Sequence, residues 1–156
     1  MAGKLAREIK EGKPLPTLEG EAVLNVLRTS EFLLQGLNNT LKGFGLTFTQ
    51  FNLLRILRSC GEPGLTCSQL AERLISRDPD TTRLLDRMEH SGLVKRERSS
   101  EDRRIVLSMI TAKGEALLKE AEEPVRQIMK EHMTHLGKER LLSLVDSLEE
   151  IRAVRD

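Results

Sequence analysis

Residues 78–110 read DPDTTRLLDRMEHSGLVKRERSSEDRRIVLSMI, and the apolar spacing changes period inside that stretch. Before Gly92, the apolar residues Leu84, Leu85 and Met88 recur at helical intervals. Beyond it, residues 94–98 and 105–110 have the two-residue period of strands, with the polar run Ser99-Ser100-Glu101-Asp102-Arg103-Arg104 between them. Asp78-Pro79 has the chemistry of a helix start, an N-cap acid with Pro at the first helical position. Gly92 followed by Leu93 suits a Schellman stop. The stretch therefore predicts a short helix that hands over to a hairpin with a charged tip.

Upstream, the same punctuation occurs twice more. Thr47-Phe48-Thr49-Gln50 and Thr66-Cys67-Ser68-Gln69 are capping boxes, in which Thr and Gln each satisfy an orphan backbone donor. The first opens a helix with Phe51, Leu54 and Leu57 inward, closed by Gly61-Glu62-Pro63-Gly64; the second opens a short helix carrying Leu70, Ala71 and Leu74. Further out, Val23, Val26, Leu27, Leu33, Leu34, Leu37 and Leu41 give helical spacing over residues 18–41, ended by Gly43-Phe44-Gly45. Before that helix, residues 1–17 form a polar arm ending in Lys13-Pro14-Leu15-Pro16-Thr17. Downstream, Thr111 caps a helix whose stripe runs through Ala116, Leu117, Ala121, Val125, Ile128 and Met129; Pro124 is expected to kink or divide it. After Gly137 a last helix carries Leu141, Leu144, Val145, Leu148 and Ile151.

The expected fold class is mainly α with a small β-hairpin wing: a winged helix-turn-helix core flanked by dimerisation helices. Short capped helices joined by tight turns cross steeply, so the third projects and can enter a major groove, with the hairpin beside it as a wing. The expected organisation is a polar arm at 1–17, an N-terminal dimerisation helix at 18–43, the winged core at 44–110 and C-terminal dimerisation helices at 111–156. The two long apolar stripes flank a core too small to cover both, which leaves surface for a partner.

Composition agrees. The chain has 156 residues, 38% hydrophobic and 31% charged, with no Trp, no Tyr and four Phe. No stretch reaches the roughly 18–20 apolar residues of a spanning helix, so no membrane partner is expected. Two Cys and no secretory h-region point to a reducing, cytoplasmic setting. A net charge of +1 gives no bulk sign of a polyanion partner, so that case rests on where particular Arg and Lys stand. Enzyme signatures such as Gly-x-Gly-x-x-Gly, Cys-x-x-Cys or Gly-x-Ser-x-Gly do not occur, and the chain is read as a non-enzyme with no cofactor and no metal.

The ordered series resembles the MarR family of bacterial transcription regulators. It runs Gly45-Leu46-Thr47-x-x-Gln50-Phe51, Leu70-Ala71-Glu72-Arg73-Leu74, Thr82-Arg83-Leu84-Leu85-Asp86-Arg87-Met88-Glu89, Gly92-Leu93-Val94-x-Arg96, then Asp102-Arg103-Arg104 and Ile110-Thr111-x-x-Gly114. The resemblance covers roughly residues 20–150. It implies an obligate homodimer that binds double-stranded DNA at a pseudo-palindromic site and represses. It also implies release by a small aromatic or phenolic ligand between the dimer helices and the core, where Phe32, Leu33, Phe44, Phe48 and Met129 stand; core packing explains those five equally well.

Within that frame the expected DNA contacts are Thr81, Thr82, Arg83 and Arg87 on the third helix and Arg96, Arg98, Arg103 and Arg104 on the wing. The resemblance gives Asp102 the task of bracing Arg104 for a narrow minor groove. The plain alternative is a charged helix face, with Asp86 pairing to Arg83 and His90, and a solvated hairpin whose charges deter edge pairing. Asp78 and Asp80 cap the third helix but repel phosphates. Cys60 and Cys67 are expected as small, partly buried hydrophobes, although Cys67 at a helix start has thiolate-favouring surroundings. His132 and His135, spaced i, i+3, are weak metal ligands without a third partner. Two other readings stay open: a winged-helix module that binds protein, and a thiol switch using Cys60 and Cys67.

Overall fold

A computed structural model of the chain describes residues 4–10, 17–76 and 80–153. Its elements, in order, are α1 (Lys4–Glu8), α2 (Leu18–Lys42), α3 (Phe48–Cys60), α4 (Cys67–Arg73), α5 (Thr81–His90), β1 (Val94–Arg98), β2 (Val106–Ile110), α6 (Ala112–Met133), a 3₁₀ turn (Thr134–Leu136) and α7 (Lys138–Ala153). The fold is mainly helical with one antiparallel hairpin, as the periods predict. The chain divides into two compact units, residues 1–36 and 37–156, with the boundary inside α2.

In the first unit, α2 exposes Leu18, Val23, Leu27 and Phe32. The second unit holds the core. Leu41, Leu53, Leu54, Leu57, Leu70, Leu85, Met88 and Leu118 are buried to 1% exposure or less, and they come from the end of α2 and from α3, α4, α5 and α6. Each buried side chain of this size contributes about 1.5–3 kcal/mol relative to exposure. On α6 the inward set is Leu118, Ala121 and Val125, while Ala116 of the expected stripe is exposed. No residue of α7 is buried.

The caps form as their chemistry requires. Thr47 Oγ1 accepts the Gln50 N–H at 3.3 Å while Gln50 Oε1 accepts the Thr47 N–H at 2.9 Å. The Thr66–Gln69 box repeats this at 3.2 and 2.9 Å. The third start differs from expectation. Asp80 is the N-cap of α5, accepting the Arg83 N–H at 3.4 Å, so the helix begins at Thr81. Asp78 and Pro79, expected to open it, lie outside the described residues, as does the Pro-bearing joint at 13–16.

At the far end of α5 the Schellman stop is present. The Gly92 N–H donates to Glu89 O and the Leu93 N–H to Met88 O, both at 2.9 Å, with Gly92 at φ +74°. That left-handed backbone suits a residue without Cβ. Strand β1 then pairs with β2 in the register Val94 to Ile110 through Arg98 to Val106. Leu65 bridges to the buried Ser108 from the other side.

Pro124 does not divide α6, which is continuous from Ala112 to Met133. Proline removes one backbone donor, but Ala121 and Val125 are buried on either side of it. Glu122, on the same turn, pairs with Arg58 of α3. Packing and that ion pair hold the two halves in one helix.

Two predictions follow from these contacts. A Cβ on Gly114 would stand 2.3 Å from the Leu93 carbonyl oxygen, whereas the nearest neighbour of a Cβ on Gly43 is 3.9 Å away. Gly114→Ala should therefore lose about 1–3 kcal/mol in urea unfolding, as overpacking does, and Gly43→Ala should change it by less than about 0.5 kcal/mol.

The hydrogen bond from Arg58 holds the Glu122 carboxyl below its ordinary 4.5, against a smaller opposing effect of burial. A depressed carboxyl contributes stability that is complete above the unfolded value and is lost as pH falls through the folded one. Urea midpoints of wild type and Glu122→Gln should differ at neutral pH and converge below pH 4.5. Parallel curves would remove the pair's role.

Candidate nucleic-acid interface

Helix α5, the third helix of the winged core, presents two faces because its apolar residues fall three and four apart. Leu84, Leu85 and Met88 are buried, while Thr82, Arg83 and Arg87 are exposed on the opposite side. Thr81, also expected there, is buried at 4% exposure. The Arg83 guanidinium stands 3.2 Å from the Asp80 carboxylate, so the acid that caps the helix is partly neutralised by the helix's own arginine. Arg87 is in no ion pair among the described residues.

The wing tip is held by its own polar residues. Arg104 donates from Nε to Asp102 Oδ1 at 3.1 Å and from Nη2 to Oδ2 at 3.0 Å, a two-point contact. Asp102 Oδ1 also accepts the Arg104 N–H at 3.0 Å, and its carbonyl accepts the Ile105 N–H at 2.9 Å, so one acid shapes both turn and guanidinium. Those bonds from Arg104 hold the Asp102 carboxyl below its ordinary range. The Arg104 side chain is nevertheless 91% exposed. Arg98 and Arg103 are exposed too, and neither is in an ion pair among the described residues.

Arg96 stands apart from the other wing arginines. Its Nε donates to Glu89 at 2.8 Å and its Nη2 to Asp86 at 2.6 Å, both acids of α5. The bond to Glu89 is the largest influence raising the guanidinium above its ordinary value. Arg96 therefore ties the wing to the third helix, and Asp86 is engaged there rather than with Arg83 or His90. The alternation of β1 carried the signal: Val94 is buried, so the residue two positions on shares its inward face. Asp86 and Glu89 were the acids that sequence reasoning did not connect to it.

A second tie joins the end of the third helix to α6. Thr111 Oγ1 donates to Gly92 O at 2.7 Å and accepts the Gly114 N–H at 3.0 Å, while Lys113 Nζ donates to Ser91 O at 2.8 Å. Between α3 and α6 an amphipathic cleft of about 220 Å³ is lined by Phe51, Arg55, Glu122, Val125, Arg126 and Met129. Of the expected ligand-crevice residues, Met129 lines it; Phe44 and Phe48 pack on the core, Leu33 is half-buried and Phe32 is exposed. Cys60 and Cys67 are free thiols, each half-buried, and Cys67 Sγ lies 3.5 Å from Thr82 Oγ1. Among the described residues no group of three or more His, Cys, Asp or Glu side chains is placed to hold a metal ion, and no helix is long and apolar enough to cross a membrane.

Comparison with known proteins places this architecture among regulators. The sequence pattern of the MarR family matches residues 46–106. The HTH-type transcriptional regulator FarR of Neisseria gonorrhoeae is 31% identical over 144 residues, which cover 91% of this chain and 97% of that protein. Among solved structures, the organohalide-sensing regulator RdhR-CbdbA1625 bound to 2,4-dichlorophenol superposes with a TM-score of 0.82 at 20% identity, covering 93% of this chain and 88% of the other. The MepR–DNA complex of S. aureus superposes with a TM-score of 0.76 at 21% identity, covering 83% and 96%.

Proposed function

The chain belongs to the MarR family of transcription regulators, and on that premise we propose that it is a cytoplasmic homodimer that binds a pseudo-palindromic duplex site and represses by occupying it. The observation that carries the reading is the exposed Arg104 guanidinium, held at two points by Asp102 on the tip of the wing. A cation fixed in direction and left in solvent has lost its rotamer freedom before binding, which lowers the entropic cost of entering a narrow, strongly negative minor groove. On the neighbouring helix Thr82, Arg83 and Arg87 face outward, the arrangement a major-groove reader needs. Arg98 and Arg103 add charge for the backbone. Arg96 and the buried Thr81 serve the same interface by holding the wing and the start of α5 in place.

Dimerisation rests on the apolar faces at 18–43 and 111–156. Leu18, Val23, Leu27 and Phe32 are exposed on α2, as are Leu142, Val145 and Ile151 on α7. Faces of this kind are stable in water when a second copy covers them. The α3–α6 cleft is apolar at Phe51, Val125 and Met129 and polar at Arg55, Arg126 and Glu122, an amphipathic lining that suits a small aromatic or phenolic ligand. The dichlorophenol-bound relative supports that class. A ligand there would bear on α6, whose first turn is bonded to the end of the third helix.

Two outcomes test the reading. Arg104→Ala should leave the fold intact and weaken binding to a selected duplex by roughly 1–3 kcal/mol per half-site in anisotropy titrations. Asp102→Ala should lose less, and the double variant should fall short of additivity because both act through one side chain. Unchanged affinity in Arg104→Ala would overturn the wing's role. Sedimentation equilibrium of the full chain should return twice its mass of 17.6 kDa. A soluble, folded monomer after deletion of residues 137–156 would defeat the dimer.

A further inference from the structure

A second cleft, of about 600 Å³, opens between the exposed side of α5 and the elbow that joins α2 to α3. Arg87 borders it on one side and Lys42, in the last turn of α2, on another. Asn38, Asn39, Thr47 and Thr49 supply amide and hydroxyl groups, and among the described residues no carboxylate lines it. Asn38 Oδ1 is occupied by the Phe48 N–H at 2.8 Å, which fixes the amide with its NH₂ end left to donate.

The charges around this cleft are unspent. Arg83, Arg96 and Arg104 each hold a carboxylate, whereas Lys42 and Arg87 are exposed and in no ion pair among the described residues. Arg87 belongs both to the outward face of the third helix and to this cleft, so the two surfaces are continuous. A helix about 10–12 Å across fills a major groove about 12 Å wide, so groups flanking it meet the phosphates of the groove wall.

We propose that this cleft seats a backbone phosphate of the duplex that the third helix enters, with Lys42 and Arg87 as its charges and the Asn39 and Thr49 side chains as neutral donors. The inference rests on the DNA-binding reading and extends the footprint beyond helix and wing to the α2–α3 elbow. Contact with a phosphate carries no base information, so Lys42 sets affinity and salt dependence rather than sequence preference.

The test is a salt series of anisotropy titrations with wild type, Lys42→Gln and Lys42→Arg, on a selected duplex and on a mixed-sequence duplex. Lys42→Gln should weaken binding by the same factor on both and reduce the slope of log K against log salt by about 0.9 per protomer. Lys42→Arg should keep the wild-type slope, and all three should unfold at the same urea midpoint because the side chain is exposed. A Lys42→Gln slope equal to that of wild type overturns the phosphate seat while leaving the DNA reading standing. So does a loss confined to the selected duplex, which would make Lys42 a base contact. A wild-type chain without salt-dependent binding to either duplex overturns both readings.

Discussion

The close approach of Gly114 to the Leu93 carbonyl is the contact on which the rest of this structure depends. It lets the first turn of α6 lie directly on the backbone that leaves the third helix. Thr111 then bonds to both sides, to Gly92 O and to the Gly114 N–H, and Lys113 reaches Ser91 O. Two polar ties and one missing side chain thus join the end of α5 to the start of the long helix behind it. Any Cβ at 114 would force these backbones apart and shift α5 relative to the core. The Ile-Thr-x-x-Gly sequence that closes the winged segment therefore has a mechanical meaning: it is the splice between α5 and α6.

Charge is the second organising theme, and what matters is which cations are already engaged. A net charge of +1 predicts no attraction to a polyanion, and the folded chain does not contradict that figure. It sorts the cations instead. Arg58 is used inside the unit, against Glu122, and Arg96 is used to clamp the wing against Asp86 and Glu89. Arg104 is braced yet exposed, while Arg87, Arg98, Arg103 and Lys42 stand outward with no ion pair among the described residues. A near-neutral chain can in this way offer a locally cationic surface, because its acids are spent on neighbouring arginines or lie elsewhere.

The contrast between α3 and α7 shows the same economy in apolar surface. Helix α3 buries Phe51, Leu53, Leu54 and Leu57, whereas α7 buries none of its residues. Both sequences carry helical apolar spacing. The stripe on α3 meets α4, α6 and β2 within one chain; the stripe on α7 meets solvent until something covers it.

Local chemistry was legible in the sequence wherever one residue type has one structural use. Threonine with glutamine three positions on gave the starts of α3 and α4, Gly92 gave the stop of α5, and the change of period gave the hairpin, because each depends on backbone donors within a few residues. The Asp102–Arg104 contact is local too, with only one residue between its partners, but its expectation came from the family resemblance rather than from local chemistry. The start of α5 falls two residues beyond the one expected because two candidate caps, Asp78 and Asp80, compete within one turn. For Pro124 propensity counts only the lost donor and predicts a kink or a division, while burial of Ala121 and Val125 keeps α6 undivided. What tertiary structure alone decided was the destination of long side chains. Arg96 goes to two acids on another element, Lys42 goes to a cleft beside Arg87, and Leu118 rather than Ala116 goes to the core. Sequence fixes where along the chain a charge or a methyl group sits; only packing of one element on another determines what that group meets, since those partners lie far away along the chain and the choice among them is made by shape.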